Sequence, residues 1–218
     1  MRIHLRTTGA KTTIPFNYQP ILTGALHKWA GRNVFHDEMS LYSFSWLQGG
    51  EPTNNGLIFP QGASYFISSS NDEFIKILIQ GIKADPNIVF DLKVQEITIQ
   101  EEPAFKNAEK FHAASPIFIR RHVDGKDIHY TFREKYSNNL LTETLKNKLK
   151  KAGLNNEGIE VSFDDTYPNA KTKMISYNNI GNKVNFCPVV IKGSPKQIAF
   201  AWNVGVGNST GIGFGSLK

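Results

Sequence analysis

From Arg2 to Thr8 apolar and polar side chains alternate, the two-residue period of a half-buried strand. The period then changes: between Pro20 and Ala30, Leu22, Ala25, Leu26 and Trp29 recur at i, i+3, i+4 and i+7, sharing one face of a helix that Gly31 stops. Leu41 to Leu47 and Ala63 to Ser69 read as aromatic-rich strands, joined through the Gly, Pro and Asn residues of 49–56 and through Pro60, Gln61 and Gly62. Asn71 or Asp72 caps a second helix whose apolar positions are Phe74, Ile77, Leu78 and Ile82, and Phe90 to Gln100 alternates again. Strand, helix, strand, strand, helix, strand is the order of the split βαβ, or ferredoxin-like, unit.

The second half repeats that order less cleanly. Ile117 to Ile119 opens a strand, Ile128 to Phe132 adds one after a turn at Asp124 and Gly125, and Ser137 caps a helix over 138–152 that ends at Gly153. Ile159 to Phe163 and Lys183 to Lys192 are strand-like, with an ambiguous stretch between them; 195–203 is a short helix, and a final strand follows the glycines beyond it. Glu101, Glu102 and Pro103 interrupt regular structure and place a boundary near 101–111. The expected fold is α+β: two tandem ferredoxin-like domains, 1–105 and 106–218, the second with a C-terminal glycine-rich loop. No apolar run approaches the roughly 20 residues that span a bilayer. Met1 to Arg6 is too short and too charged for a secretory signal, so the chain is expected to be cytoplasmic, without membrane contact.

Charge sharpens the division. The net charge is +6, but residues 1–110 hold 10 Lys and Arg against 11 Asp and Glu, whereas 111–218 hold 15 against 8. The excess lies entirely in the second half. Such asymmetry suits a polyanionic partner, because cationic side chains attract phosphate before any contact forms; a mildly basic soluble protein is the plainer alternative. A single cysteine, Cys187, excludes an internal disulfide and a cysteine-based zinc site.

The tail is the most specific motif. Gly205-Val206-Gly207 and Gly211-Ile212-Gly213 flank the polar Asn208, Ser209 and Thr210, and Gly215 follows. Glycine admits positive φ and lets backbone N–H groups approach a ligand, so such a loop can cradle phosphate; a tight turn into a final strand is the structural alternative. A Walker loop is excluded because Ile212, not Lys, follows Gly211, and a Rossmann fingerprint because too little chain remains for its helix.

This run of Gly-apolar-Gly, polar spacer and Gly-apolar-Gly resembles the glycine-rich loop of the CRISPR-associated repeat-processing endoribonucleases, the Cas-six family of the glycine-rich-loop RNA-binding superfamily. Ile14 to Gln19, leading into Leu22 and Gly24, is similar to that family's approach to its first helix, and Ala114 to Ile117 to the start of its second domain. The resemblance implies tandem ferredoxin-like domains and metal-independent cleavage of CRISPR precursor RNA within its repeats, leaving 5′-hydroxyl and 2′,3′-cyclic phosphate ends and needing no cofactor. The partners it implies are repeat RNA, as precursor and processed guide, and a CRISPR effector complex, with the protein a monomer or a homodimer.

Two histidines stand where that chemistry needs them. RNA self-cleavage requires a base for the 2′-hydroxyl proton and an acid for the departing 5′ oxygen, and imidazole suits both because its pKa lies near neutrality. His27 sits with Thr23 toward the Gly31 end of the first helix, away from the Leu22, Leu26 and Trp29 stripe, so core packing does not explain it. An idle surface histidine is the alternative; the resembled enzymes carry Tyr or His there. His36, within Val34 to Glu38, matches where the family places its principal catalytic histidine. Some family members add a lysine soon after that histidine to stabilise the phosphate, yet residues 37–50 contain no Lys or Arg, leaving Lys28, Arg32 or a cation of the second half for that task. His36 with Asp37 or Glu38 suggests a metal site, but neighbours in sequence seldom both face one ion and no His-x-His or His-x-x-x-His spacing occurs; none is expected.

The helix at 138–152 carries Lys146, Lys148, Lys150 and Lys151 near its C-terminal end, where cations also complement the helix dipole. With Arg120, Arg121, Lys171 and Lys173, and the backbone of Gly205, Gly207, Gly211, Gly213 and Gly215, they are expected to contact RNA. Tyr130, Phe132, Tyr136 and Tyr177 lie among them and can stack on unpaired bases. The missing lysine sustains a rival, a non-catalytic subunit that holds guide RNA in an effector complex, and His36 with Asp37 a third reading, a metal-dependent phosphodiesterase.

Overall fold

The computed structural model describes residues 1–31 and 39–218. The first half runs β1 (Arg2–Thr7), β2 (Ala10–Ile14), α1 (Gln19–Ala30), β3 (Tyr42–Phe44), β4 (Glu51–Thr53), β5 (Gly56–Phe59), β6 (Ser64–Ser69), α2 (Asp72–Ala84), β7 (Asn87–Val89) and β8 (Leu92–Gln100). Its main sheet has the order β3-β6-β1-β8-β7, every pair antiparallel. With β7 set aside, the four long-range strands follow the 2-3-1-4 order of a ferredoxin-like unit, in which α1 and α2 cover one face. Alternation explains the placement: Ile3 and Leu5 of β1 are buried among the helices, while His4 and Arg6 point away. β2, β5 and β4 form a small separate sheet.

α2 forms where its cap and its apolar face agree. Asn71 Oδ1 accepts from the N–H groups of Glu73 and Phe74, Asp72 and Glu73 occupy the positive end and Lys83 the negative one. Phe74, Ile75, Leu78 and Ile82 are buried, so Ile75 takes the full burial expected of Ile77, which is half-buried.

The second half runs β9 (Ala108–Phe111), β10 (Ile117–Phe118), β11 (Arg120–Val123), β12 (Lys126–His129), α3 (Ser137–Lys151), β13 (Glu160–Phe163), β14 (Lys171–Tyr177), β15 (Ile180–Phe186), β16 (Val189–Lys192) and α4 (Pro195–Val204). Its core sheet is β13-β16-β9. The chain end extends it: His112 and Lys218 exchange backbone hydrogen bonds of 2.9 Å, and Ala113 pairs with Leu217. The order is again 2-3-1-4. Two hairpins project from this unit, β11–β12 around Asp124 and Gly125, and β14–β15 around Asn178 and Asn179, which occupy the left-handed region that such tight turns demand. Ser137 is not the cap of α3; Tyr136 holds that place, and the buried Ser137 hydroxyl donates to Thr131 O. α4 begins with a full capping box, Ser194 with Gln197, behind Pro195.

One hydrophobic cluster lies within residues 3–94 and another within 111–217. The seam between them is polar and specific. Arg2, 3% exposed, lies between the rings of Trp202 and Phe66 at 3.6 and 3.9 Å, and its Nη2 donates to the carbonyls of Trp202 and Leu217. Asn203 of α4 accepts from Ser68 through Oδ1 and from Ser43 through its carbonyl. Burying these groups without partners would cost more than the contacts return, so their pairing fixes how the halves meet.

Candidate functional site

The glycine-rich segment is a turn locked into that seam. After α4 the chain turns at Gly205, makes one 3-10 turn at Thr210–Ile212 and returns as the last strand. Three side chains of the first half donate to its carbonyls: Gln19 Nε2 to Ile212 O and Gly213 O at 2.8 and 3.0 Å, Trp46 Nε1 to Gly213 O at 2.9 Å, and the Tyr42 hydroxyl to Gly211 O at 3.3 Å. From the second half, Lys148 Nζ donates to Val204 O, Gly205 O and Thr210 Oγ1 at 3.1, 3.3 and 2.9 Å. At the tip, Asn208 N–H donates to Phe118 O, and Asn208 Oδ1 accepts from the Arg120 N–H.

Glycine is required here by the protein's own packing. Gly213 and Gly215 have φ of 86° and 64°; a Cβ at Gly213 would stand 2.8 Å from the Phe44 ring, and one at Gly215 would collide with the Val206 carbonyl. This corrects the expectation of an open phosphate cradle. Gly205, Gly207, Gly211, Gly213 and Gly215 are all buried, and the N–H groups of Gly205, Gly213 and Gly215 are already donated to Ala201 O, Thr210 O and Pro116 O. What this segment offers outward is the half-buried Asn208, Ser209 and Ile212.

Lys148 is a second correction. It was expected on a cationic surface, but it is 2% exposed and each of its three donors has an acceptor in the turn. Burial pushes its ammonium down to about 7, against which the three acceptors favour the charged form. Lys148→Met should lower thermal stability by about 1–3 kcal/mol, because two carbonyls and a hydroxyl lose their donor. The folded pKa lies below the unfolded one, so between about 7 and the ordinary 10.5 the unfolded chain holds the extra proton and wild-type stability rises with pH. The variant should lack that rise; thermal denaturation of both proteins across this range measures it.

The remaining expected RNA-contact residues divide. Arg121 is turned inward, with Nη2 donating to Leu140 O, Glu143 and Thr144 and Nη1 to Arg120 O at 2.9 Å. Arg120, Lys150, Lys151, Lys171 and Lys173 are exposed and Lys146 is half-buried. Arg120 pairs with Asp127 at 3.2 Å, and that carboxylate, held below its usual range chiefly by the His122 hydrogen bond, stays ionised. Tyr136, 62% exposed, is the most open of the aromatic residues expected to stack. Burial pushes the Cys187 thiol up to about 11, and its Sγ donates to Asp164 O, so it is no nucleophile.

His27 lies on the face of α1 formed by Gln19, Thr23 and His27 at four-residue spacing. Sequence placed that face at the surface. Gln19 and Thr23 are instead buried and His27 half-buried, and Gln19 is the residue bonded to the glycine-rich turn. His36, like Arg32, Asp37 and Glu38, lies outside the described residues. The described chain on either side is placed: the Gly31 N–H donates to His27 O, Met39 O accepts from Lys151 Nζ at 3.0 Å, and the Ser40 hydroxyl lies where a Cβ on Gly211 would be. Lys28 is drawn off to Asp85 and Asn87 O. Among the described residues no three His, Cys, Asp or Glu side chains gather as a metal would need. Gln19, Tyr42 and Trp46, which hold the turn, were missed by sequence; their one signal was Gln19, a polar residue set at a helix start beside Pro20.

Two units of identical strand order, joined through a buried glycine-rich turn, define a tandem ferredoxin-like protein. A family model described as CRISPR associated protein Cas6, C-terminal, matches residues 100–218, more than half of the chain, which therefore belongs to the Cas6 family. A relative from Methanocaldococcus jannaschii, named CRISPR-associated endoribonuclease Cas6 1, is 26% identical over 237 residues, covering 100% of this chain and 92% of that protein. Among solved structures, a Cas6-related protein of Pyrococcus furiosus superposes with a TM-score of 0.86 at 22% identity, covering 100% of this chain and 97% of that one. A structure described as an RAMP protein binding different RNA substrates superposes at 0.84 with 19% identity, covering 100% and 98%. No helix among the described residues is long and apolar enough to cross a membrane.

Proposed function

We propose that this protein is a metal-independent endoribonuclease that cleaves CRISPR precursor RNA within its repeats. What carries the reading is the match, along the whole chain, to a relative named as an endoribonuclease of this kind, and α1 turns the face bearing His27 toward the glycine-rich turn. His36 and His27 act as the acid and base. One takes the proton of the 2′-hydroxyl at the cut, the 2′ oxygen bonds to phosphorus as the bond to the 5′ oxygen breaks, and the other returns a proton to that oxygen. The products carry a 2′,3′-cyclic phosphate and a 5′-hydroxyl, so no water and no metal-bound hydroxide enters the step. Arg120, Lys146, Lys150, Lys171 and Lys173 are the cations this reading assigns to phosphate contacts along the strand.

A second reading has its own observation: residues 37–50 carry no Lys or Arg to stabilise the phosphate, which favours a protein that holds guide RNA for an effector complex without cutting it. One assay divides these. Incubated with its cognate repeat RNA in excess EDTA, the protein should cut at one position. RNA bound but intact, with or without added metal, would support the second reading, and cleavage restored only by a divalent ion would point to a metal-dependent phosphodiesterase.

A further inference from the structure

β11 and β12 form a ribbon in which no residue is buried, so its side chains are placed by polar partners and not by core packing. Alternation and register sort them into two faces. Arg121 pairs across the ribbon with Ile128, and its guanidinium is turned to α3, where it donates to Leu140 O. Arg120 stands opposite His129, and His122 opposite Asp127, which gathers these four side chains on the other face. The Asp127 carboxylate divides between two of them: Oδ2 accepts from Arg120 Nη1 at 3.2 Å, and Oδ1 accepts from His122 Nδ1 at 3.0 Å. Arg120 is held at its main chain as well, where its N–H donates to Oδ1 of Asn208, at the tip of the glycine-rich turn, at 2.8 Å. The backbone of this arginine is thus fixed by the turn and its guanidinium by Asp127.

The fold alone does not account for an acid in this position. The Asp127 side chain is 45% exposed, and exposed ion pairs add little to stability. For a strand of RNA passing Arg120, a carboxylate beside it is a source of repulsion. What it offers in return is order. A long arginine stem loses rotamer freedom when it grips a ligand, and fixing the stem beforehand removes that cost from binding. The guanidinium spends one N–H donor on Asp127 and keeps the rest of its planar fork for a phosphate. We propose, resting on the phosphate contact assigned above to Arg120, that Asp127 is a positioning residue for RNA binding: its carboxylate holds Arg120 in the conformation that grips the phosphate backbone, and the preorganisation outweighs its own repulsion of the strand. Asp127 acts through Arg120 and makes no contact with the RNA.

The test measures affinity for cognate repeat RNA carrying 2′-deoxyribose at the cut, at fixed ionic strength, for wild type, Asp127→Ala, Arg120→Ala and the double variant. Where charge alone counts, removing an acid from an RNA-binding surface raises affinity. Here Asp127→Ala should lower it by about 2–10-fold, the cost of ordering a long side chain only on binding. In the Arg120→Ala background the carboxylate has no arginine to orient and remains a negative charge, so the same substitution should raise affinity or leave it unchanged. That reversal separates positioning from damage to the ribbon, which would lower affinity in both backgrounds. Asp127→Ala protein that binds as tightly as wild type, or more tightly, overturns the proposal, and so does an equal loss in both backgrounds. If Arg120→Ala binds as wild type does, the phosphate contact is wrong and the proposal falls with it, while the cutting reaction is judged separately by the assay in EDTA. Wild-type protein that does not bind repeat RNA would refute the functional reading before any variant is compared.

Discussion

His36→Ala and His27→Ala should each lower the single-turnover cleavage rate by about 10²–10⁴-fold, the usual contribution of a general acid or base, with little change in RNA affinity. A proton-transfer group acts on the transition state alone, so its loss appears in the rate of the bound complex. The double variant should cost less than the product of the two losses, because a base without its acid partner drives a step that no longer completes. The wild-type rate should fall at both ends of a pH series, as one imidazole or the other takes the wrong protonation state. Rates for both variants equal to wild type would move the active site out of the first half altogether. Measuring the two singly matters because their structural standing differs. His27 is half-buried on a helix face whose neighbours Gln19 and Thr23 are buried, whereas His36 lies outside the described residues.

The fold was legible where one signal repeated itself. α2 had a cap residue, an acidic first turn and an apolar stripe in agreement, and β1 alternated from Ile3 through Thr7, so the ferredoxin-like order of the first half followed directly. The stretch between Phe163 and Lys183 resisted because β14 is the edge of a projecting hairpin: no residue of Lys171–Tyr177 is buried, and a strand with no buried face leaves no period to read.

The candidate site was legible in residue type and misread in direction. Glycines at 205–215 signalled a special backbone, but sequence does not say whether a close approach is made by a ligand or by the protein's own chain; here Phe44 and the Val206 carbonyl are what approach. Lys148 looked like part of a solvated helix end. It in fact falls seven residues after Leu141 and four after Thr144, on the buried stripe with Leu145 and Leu149, and that position was the available signal. The face of α1 bearing His27 looked exposed for the complementary reason: Gln19 and Thr23 are polar, yet Gln19 is buried against carbonyls that arrive from a turn roughly 190 residues away in sequence, and Thr23 satisfies its hydroxyl on Gln19 O within the helix.

Replacing the one ribose 5′ of the cut by 2′-deoxyribose should abolish cleavage while leaving binding nearly intact. In the proposed reaction the nucleophile belongs to the substrate, so removing a single oxygen removes the only atom that can attack phosphorus, and no side chain of the protein can replace it. The loss in affinity should be small, since one hydroxyl among many phosphate and base contacts contributes about 1 kcal/mol or less. The measurement is a single-turnover assay with saturating protein in excess EDTA, on cognate repeat RNA with and without that substitution. The account predicts one cut in the all-ribose RNA, with a 2′,3′-cyclic phosphate on the upstream product, and none in the substituted RNA, which still competes for binding. Cleavage of the deoxy-substituted RNA at the normal rate would contradict it, because water or a metal-bound hydroxide would then be the attacking group.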